Sequence, residues 1–386
     1  LKVLKQHVKL DKSQYKILLD YSYYSNNLYN YCLYITRQHY FQTNKYIGCS
    51  LLEKDVRNNE NYKLLPVQSA QQIVKLVDKN FRSFFALLKR KKEGHYTDKI
   101  NIPRYKEKQG YFNIIFTNQN SYIENKKIVF YKGKEYKKIN KNKLSVDFNY
   151  QIDGKIQQIM FQPKYNGKYF IMYIIYKENK KEEDYKLNKN SYLGIDLGIN
   201  NLCACIDTSG RSFLMNGKPL KSYNRWYNKK VAEHKSEIKK KNNKEWCNYL
   251  QKITQDRDNF IDNYFNQIVN YIVKFCLKND IKNVVLGYNK EWKQNINIGT
   301  KNNQKFMMIP YLKLIQKLQY KCEDNNIDLI YTEESYTSKS SLLDLDILPE
   351  FKKGKNEMKF LGSRVKRGLY KSKENKFINA DINGAG

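Results

Sequence analysis

Three acidic positions stand where a carboxylate costs free energy unless something compensates it. Asp196 lies inside GIDLGINN, an apolar stretch fit for a buried strand and flanked by Gly194 and Gly198. A lone carboxylate there costs on the order of several kcal/mol without a cationic partner. Glu333 and Glu334 close a second apolar run, DLIYTEESY, and Asp381 sits in FINADINGAG, where an apolar run passes into small residues at an expected helix start. Carboxylates from separate elements can converge on Mg²⁺, which prefers hard oxygen ligands to Cys or His. Two such ions about 4 Å apart would activate water and stabilise the leaving 3′ oxygen in phosphodiester hydrolysis. Each position also has a plain structural reading. Asp196 can cap a turn, one of the adjacent glutamates can be a solvated strand end, and Asp381 can cap the last helix.

The elements that must position these residues change character along the chain. Residues 1–10 alternate like a short strand, and from Ser13 to about Arg37 the apolar residues Ile17, Tyr21, Tyr24, Leu28, Tyr31 and Ile35 recur at helical spacing. A second helix is expected after Pro66, where Ala70, Ile73, Val74, Val77, Phe81, Phe84 and Leu87 share one face and the last turn is cationic. From about residue 99 the segments INIPRYK, YFNIIFTN, KIVFYKG, KLSVDFN, IQQIMFQPKY and KYFIMYIIYK are short, β-branched and aromatic. They read as a small antiparallel barrel or sandwich. The Lys-rich stretch at 178–191 reads as a linker. Beyond it, three strands (YLGIDLGINN, LCACIDTSG, RSFLMNG) are followed by a long helical region over about 221–277. The strand KNVVLGYN, a helix around IPYLKLIQKLQYKCEDN and the strand DLIYTEESY complete an α/β layer.

The 386 residues carry a net charge of +33 and are 41% hydrophobic. That is enough for two or three folded domains, and their self-repulsion calls for a polyanionic partner. Lysine is spread through KRKKE (89–93), KENKK (177–181) and KSEIKKKNNK (235–244), as for a large wrapped ligand, and the 34 tyrosines offer stacking faces beside phosphate-binding lysines. The bland alternative is an AT-biased genome that enriches surface lysine. Seven cysteines without a C-x-x-C pair and four histidines argue against a disulfide framework and a Cys-rich zinc site, and reduced thiols suit a cytoplasmic protein. No apolar run is long enough for a membrane span. The charged start LKVLKQHVKLDKSQYK lacks the apolar core of a secretory signal. The chain opens on Leu1 and stops at INGAG, so short ends are expected beyond it.

GIDLGINNLCACID followed by LMNGKPLKSYNRWYNKK resembles the first RuvC segment of the TnpB proteins of insertion sequences, relatives of the type V CRISPR effectors. VVLGYNKEWKQNINIG and IPYLKLIQKLQYKCED resemble the middle of the same nuclease, TEESYTSKSS its Tyr-Thr-Ser stretch, and INADINGA its last segment. INIPRYK and LPVQSAQQIVKLVDKNFRSFF are similar to the barrel and helical parts of the family.

The resemblance implies an α+β multidomain fold: a β-barrel wedge domain (1–10 and 99–185), an inserted helical recognition domain (11–98), and an RNase H-like α/β RuvC nuclease domain (186–386). It implies an RNA-guided DNA endonuclease, one chain per guide RNA transcribed from its own element. Pairing would select the double-stranded target and the protein would read a short flanking motif. Cleavage would use two Mg²⁺ ions held by Asp196, Glu334 and Asp381, and the protein would be cytoplasmic and nucleoid-associated on its target.

Two departures stand out. The family usually carries its middle glutamate where this chain has Gly287, so the role is transferred to Glu334, three residues before the Thr-Ser pair, with Glu333 next and Glu291 after it. Ser341 and Asp344 occupy the places of a C-x-x-C pair, so no structural zinc is expected. Exposed Gln71, Gln72 and Lys75 are candidates for the flanking DNA, and Arg104 and Lys106 for RNA backbone, although a solvated helix face is the usual fate of such residues. The rival readings are a guided DNA-binding repressor without nuclease activity and a transposase in its own right.

Overall fold

The computed structural model describes residues 1–179, 186–242, 246–287, 308–332, 336–347 and 359–386. The chain divides into two compact units, Leu1–Lys181 and Glu182–Gly386.

In the first unit, strand β1 (Lys2–His7) leads into helix α1 (Lys12–Thr43). Asp11 and Gln14 set that helix start by bonding each other's backbone N–H, a reciprocal capping box. The helix continues past Arg37 until Asn44 takes a left-handed conformation. Two short helices, α2 (Cys49–Val56) and α3 (Glu60–Leu64), precede α4 (Val67–Lys92), which starts directly after Pro66. Ala70, Ile73, Val74, Val77 and Phe81 of α4 are fully buried, as the helical spacing required. They share a core with Ile17, Tyr21 and Leu28 of α1 and with apolar residues of the strands that follow.

Those strands do not close into a barrel. Strands β2 (Ile114–Thr117), β6 (Gly154–Lys164) and β7 (Tyr169–Glu178) join β1 in one antiparallel sheet of order β1-β7-β6-β2. Strands β3 (Ser121–Glu124), β4 (Lys127–Phe130) and β5 (Leu144–Asp147) form a separate antiparallel sheet, with helix α5 (Lys134–Ile139) between β4 and β5. β2 has only four residues and ends where the Asn120 side chain accepts the Thr117 N–H, turning the chain into the second sheet. The two sheets meet through Phe116, Phe130 and Phe161.

INIPRYK, expected as a strand, has no regular structure. Pro103 lacks an N–H for a ladder, and α1 supplies the backbone partners instead. Asn26 donates to the Glu107 carbonyl, Asn30 exchanges hydrogen bonds with the Lys106 backbone, and Arg37 donates to the Pro103 carbonyl.

The second unit is built on a five-stranded sheet. Strands β8 (Asn188–Asp196), β9 (Asn201–Asp207) and β10 (Ser212–Asn216) are antiparallel neighbours. β11 (Ile281–Gly287) then lies parallel to β8, and β12 (Asp328–Thr332) parallel to β11, giving the order β10-β9-β8-β11-β12. Helices α6 (Lys218–Asn242) and α7 (Asn248–Lys278) connect the two halves of the sheet, and α8 (Tyr311–Asp324) connects β11 to β12. Ile261, Phe265, Ile268 and Val269 of α7 and Leu314, Ile315 and Leu318 of α8 form the core against the sheet. A three-stranded sheet, β13 (Ser363–Lys366), β14 (Leu369–Lys371) and β15 (Phe377–Asn379), precedes the final short helix α9 (Ala380–Ala385).

Asp262 of α7 clamps α8 through Lys313 (3.1 Å) and Lys317 (2.8 Å). Burial raises the Asp262 pKa, but hydrogen bonds and charge from the two lysines outweigh it and hold the pKa down at about 2. A depressed carboxylate stabilises the fold above its unfolded pKa near 4, and that stabilisation is lost as pH falls toward 2. Asp262→Asn is therefore expected to cost about 1–2 kcal/mol at pH 7 after screening, with the gap to wild type closing below pH 4. Equal midpoints in urea at pH 7 would contradict this.

Candidate functional site

Asp196 is the last residue of β8, and Asp381 lies in the first turn of α9. The two come together because α9 rests directly on β8. A Cβ added to Gly194 would stand 1.9 Å from the Ala385 carbonyl oxygen, so only glycine permits this approach. At Gly384 a Cβ would lie 3.6 Å from Asp196 Oδ2, which puts the helix backbone beside that carboxylate.

The helix cap is Asn379, not Asp381. The Asn379 side chain accepts the N–H groups of Asp381 and Ile382, leaving the Asp381 carboxylate for other work. Its Oδ2 accepts a hydrogen bond from Asn201 Nδ2 at 2.7 Å, across 180 residues of sequence. Asn201 begins β9, and Tyr311 of α8 donates to the Gly198 carbonyl (2.9 Å), holding the β8–β9 turn. On the far side of α9, Asn383 donates to the Ser340 carbonyl and accepts the Leu342 N–H, tying the 340–342 segment to the helix.

Burial first, and the neighbouring Asp381 charge second, push the Asp196 carboxyl up to about 6; the Leu197 N–H and Arg364 oppose the rise. Two carboxylates are thus held in mutual repulsion in a partly desolvated place, with Arg364 of β13 the cation that acts on Asp196. This donor set suits a hard divalent cation, which would relieve both the burial and the repulsion.

Glu333 and Glu334 follow the end of β12 and, like Glu291, lie outside the described residues. Thr332, the last residue of β12, pairs with Gly287 at the end of β11, and Leu286 pairs with Ile195. The ends of β8, β11 and β12 therefore lie at one edge of the sheet. Among the described residues no group of three or more His, Cys, Asp or Glu could hold a metal ion.

Ser341 and Asp344 form a hydrogen-bonded turn: Ser341 Oγ donates to Asp344 Oδ2 (2.5 Å), which also accepts the Lys373 N–H (2.9 Å).

In the first unit, two of the three residues expected to be exposed on α4 are half-buried and engaged. Gln71 donates to Glu53 (3.0 Å), and Gln72 accepts from Gln158 (3.5 Å). Lys75 is exposed, as are Arg104 and Lys106. The Lys106 ammonium stands over the rings of Phe112 (4.7 Å) and Tyr29 (5.2 Å). Helical spacing identified the α4 face but could not show that α2 and β6 supply partners for its glutamines. Asn201 and Asn379 were missed as well. Asn201 stands in the INN that follows Asp196, but its partner is set by the fold.

No curated protein matches the chain. Among solved structures, a Cas12f1–sgRNA–target DNA complex matches with a TM-score of 0.55 at 15% identity, covering 97% of this chain and 81% of that one. This likeness shows a shared mixed α+β multidomain fold. A CRISPR–Cas12f ternary complex matches at a TM-score of 0.36 and 14% identity, over 96% of this chain and 80% of that one. An AacC2c1–sgRNA binary complex matches at 0.39 and 8%, over 91% and 62%. These last two scores are too low to carry an argument. Residues 174–293, a span that includes Asp196 and Asn201, match the model of the OrfB_IS605 family, described as "Probable transposase". Over these residues, about a third of the chain, it is similar to the OrfB_IS605 probable transposases.

Proposed function

We propose that this protein is an RNA-guided DNA endonuclease of the RuvC type, acting as one chain per guide RNA on double-stranded DNA beside a short flanking motif. The observation that carries the reading is the pairing of Asp196 and Asp381, brought from opposite ends of the second unit onto one sheet edge and left in repulsion. The strand order β10-β9-β8-β11-β12, with three antiparallel strands and two parallel ones, supports an RNase H-like layer. The charge of +33 supports a nucleic-acid partner.

Asp196 and Asp381, with Glu334 as the third ligand, would hold Mg²⁺, which when bound supplies an activated water and charge stabilisation at the leaving oxygen. Asn201 orients the Asp381 carboxylate through its hydrogen bond, and α9 shields one side of Asp196. The turn at Ser341 and Asp344 bonds to itself and to Lys373, so the reading includes no structural zinc. Of the surface candidates, Lys75 remains for the flanking DNA, and Arg104 with Lys106 for RNA backbone. Among the described residues no helix is long and apolar enough to cross a membrane.

Gly287 at the end of β11 favours one second reading, a guided DNA-binding protein that does not cut. One experiment separates the two. The chain is expressed with its native flanking DNA and purified, the RNA that accompanies it is sequenced, and a matching target is offered with Mg²⁺. A single abundant RNA ending in a variable stretch, with cleavage that Glu334→Ala abolishes without loss of RNA, is expected. The same RNA with target binding but no cleavage by wild type would select the non-cutting reading. Random cellular RNA would overturn both.

A further inference from the structure

Helix α6 leaves the candidate site with an unusual surface. Gly217, just before it, donates to the Asn200 carbonyl (2.7 Å), and Lys221 Nζ donates to Asn200 Oδ1 (3.0 Å). Asn200 adjoins Asn201, the residue bonded to Asp381. The first turn of α6 is therefore fastened to the β8–β9 turn, which follows Asp196 and ends at the Asn201 bonded to Asp381.

From Lys218 to Lys230 the helix has five cations and no acid. Lys218, Ser222, Arg225 and Lys229 recur at steps of four, three and four, and all are exposed on one face. Neither Lys218 nor Arg225 has an acidic partner among the described residues. At the border of that face Trp226 is 43% exposed. It stands edge-on to Tyr223 (5.4 Å), which stacks on Phe260 (4.6 Å, 11°), itself parallel to Tyr264 (8°). The Tyr264 hydroxyl donates to the Asn216 carbonyl at the root of the helix. A large indole held half in water on a rigid aromatic stack, beside the unpaired Arg225 and one turn before Lys229, whose loose pair with Glu233 is 3.9 Å long, costs solvation that packing does not require.

We propose that this face of α6 binds a single DNA strand and leads it to the Asp196–Asp381 pair, with a base stacked on Trp226 and phosphates on Lys218, Arg225 and Lys229. The proposal deepens the nuclease reading and rests on it for the direction of the strand. An unpaired strand is favoured over a duplex because only unstacked bases can lie on an aromatic face, and stacking with backbone cations tolerates any sequence. Lys218 and Lys229 are separated by about 16 Å along the helix axis, which spans about five stacked nucleotides. The continuity with Asn200 makes this strand the one that would be cut.

The test uses the full chain purified with its RNA, and a fluorescein-labelled (dT)₁₂ followed by anisotropy. Trp226→Ala is expected to weaken (dT)₁₂ binding about tenfold, and Trp226→Phe by no more than about threefold, because the stacking face is kept. Arg225→Ala should weaken binding and lower its salt dependence. Trp226 is exposed, so all three variants should unfold at the wild-type temperature and retain the wild-type amount of RNA. Wild-type affinity for (dT)₁₂ in Trp226→Ala would overturn the proposal. So would loss of RNA in that variant, because the face would then belong to the guide. If the wild type holds no specific RNA and cuts nothing, yet (dT)₁₂ binding depends on Trp226, the strand-binding face stands and the guided-nuclease reading falls.

Discussion

Asp196→Asn protein, purified with its RNA, is expected to cut a matching target at least about 10³-fold more slowly than wild type while holding RNA and target equally well. The substitution keeps the shape of the side chain and removes the charge that would help to hold a divalent cation beside Asp381. The same change should stabilise the protein when metal is chelated. In the fold the Asp196 carboxyl is pushed up to about 6 by burial and by Asp381, whereas an unfolded aspartate ionises near 4.

A raised carboxylate contributes stability that is full below the unfolded value and lost as pH rises through the folded one. Chelated wild type should therefore lose on the order of 2–3 kcal/mol between about pH 4 and 7, and Asp196→Asn should lose much less over that range. At pH 7.5 without metal the variant should have the higher Tm. Adding Mg²⁺ should raise the wild-type Tm and leave the variant nearly unmoved. A variant that cuts at the wild-type rate would move the chemistry away from this pair. A chelated wild type with flat stability across that pH range would mean that the two carboxylates do not repel as the geometry implies.

Gly194→Ala should be nearly as damaging, although it alters no chemical group. Its methyl would need the space 1.9 Å from the Ala385 carbonyl oxygen, and both partners are backbone, so no side-chain rotation relieves the clash. Helix α9 must lift from β8 and take Asp381 with it. We expect a loss of about 2–4 kcal/mol and a fall in cleavage of about 10²-fold, because a displacement of order 1 Å is enough for that. Gly384→Ala provides the contrast in stability. Its Cβ would make only ordinary contacts, 3.6 Å from Asp196 Oδ2 and 3.8 Å from the Thr337 carbonyl, and the protein should unfold within about 1 kcal/mol of wild type. Equal stability of Gly194→Ala and wild type would show that α9 does not rest on β8 as described.

Local chemistry made much of the fold readable. The α4 helix was legible because Ala70, Ile73, Val74, Val77 and Phe81 repeat at the helical period and all are buried together. Strands β8 to β10 were legible because apolar runs broken by turns leave few other solutions. Asp196 and Asp381 stood out for a related reason, as charges in places where burial makes charge expensive.

What the residues could not announce depends on partners far along the chain. The strands of the first unit have barrel-like patterning, but that patterning is the same in a closed barrel and in two open sheets. The choice fell to the turn at Asn120, which redirects the chain after only four residues of β2. INIPRYK lost its strand to side chains of α1 (Asn30 and Arg37) more than sixty residues earlier. Strands β13 to β15 are three or four residues each, too short for any period to show. The sequence could nominate Asp381 as ligand or as cap. Only the tertiary structure, by giving the cap to Asn379 and a hydrogen bond from Asn201 to the carboxylate, put Asp381 beside Asp196, because a backbone approach as close as that of Gly194 to Ala385 exists only once the chain is packed.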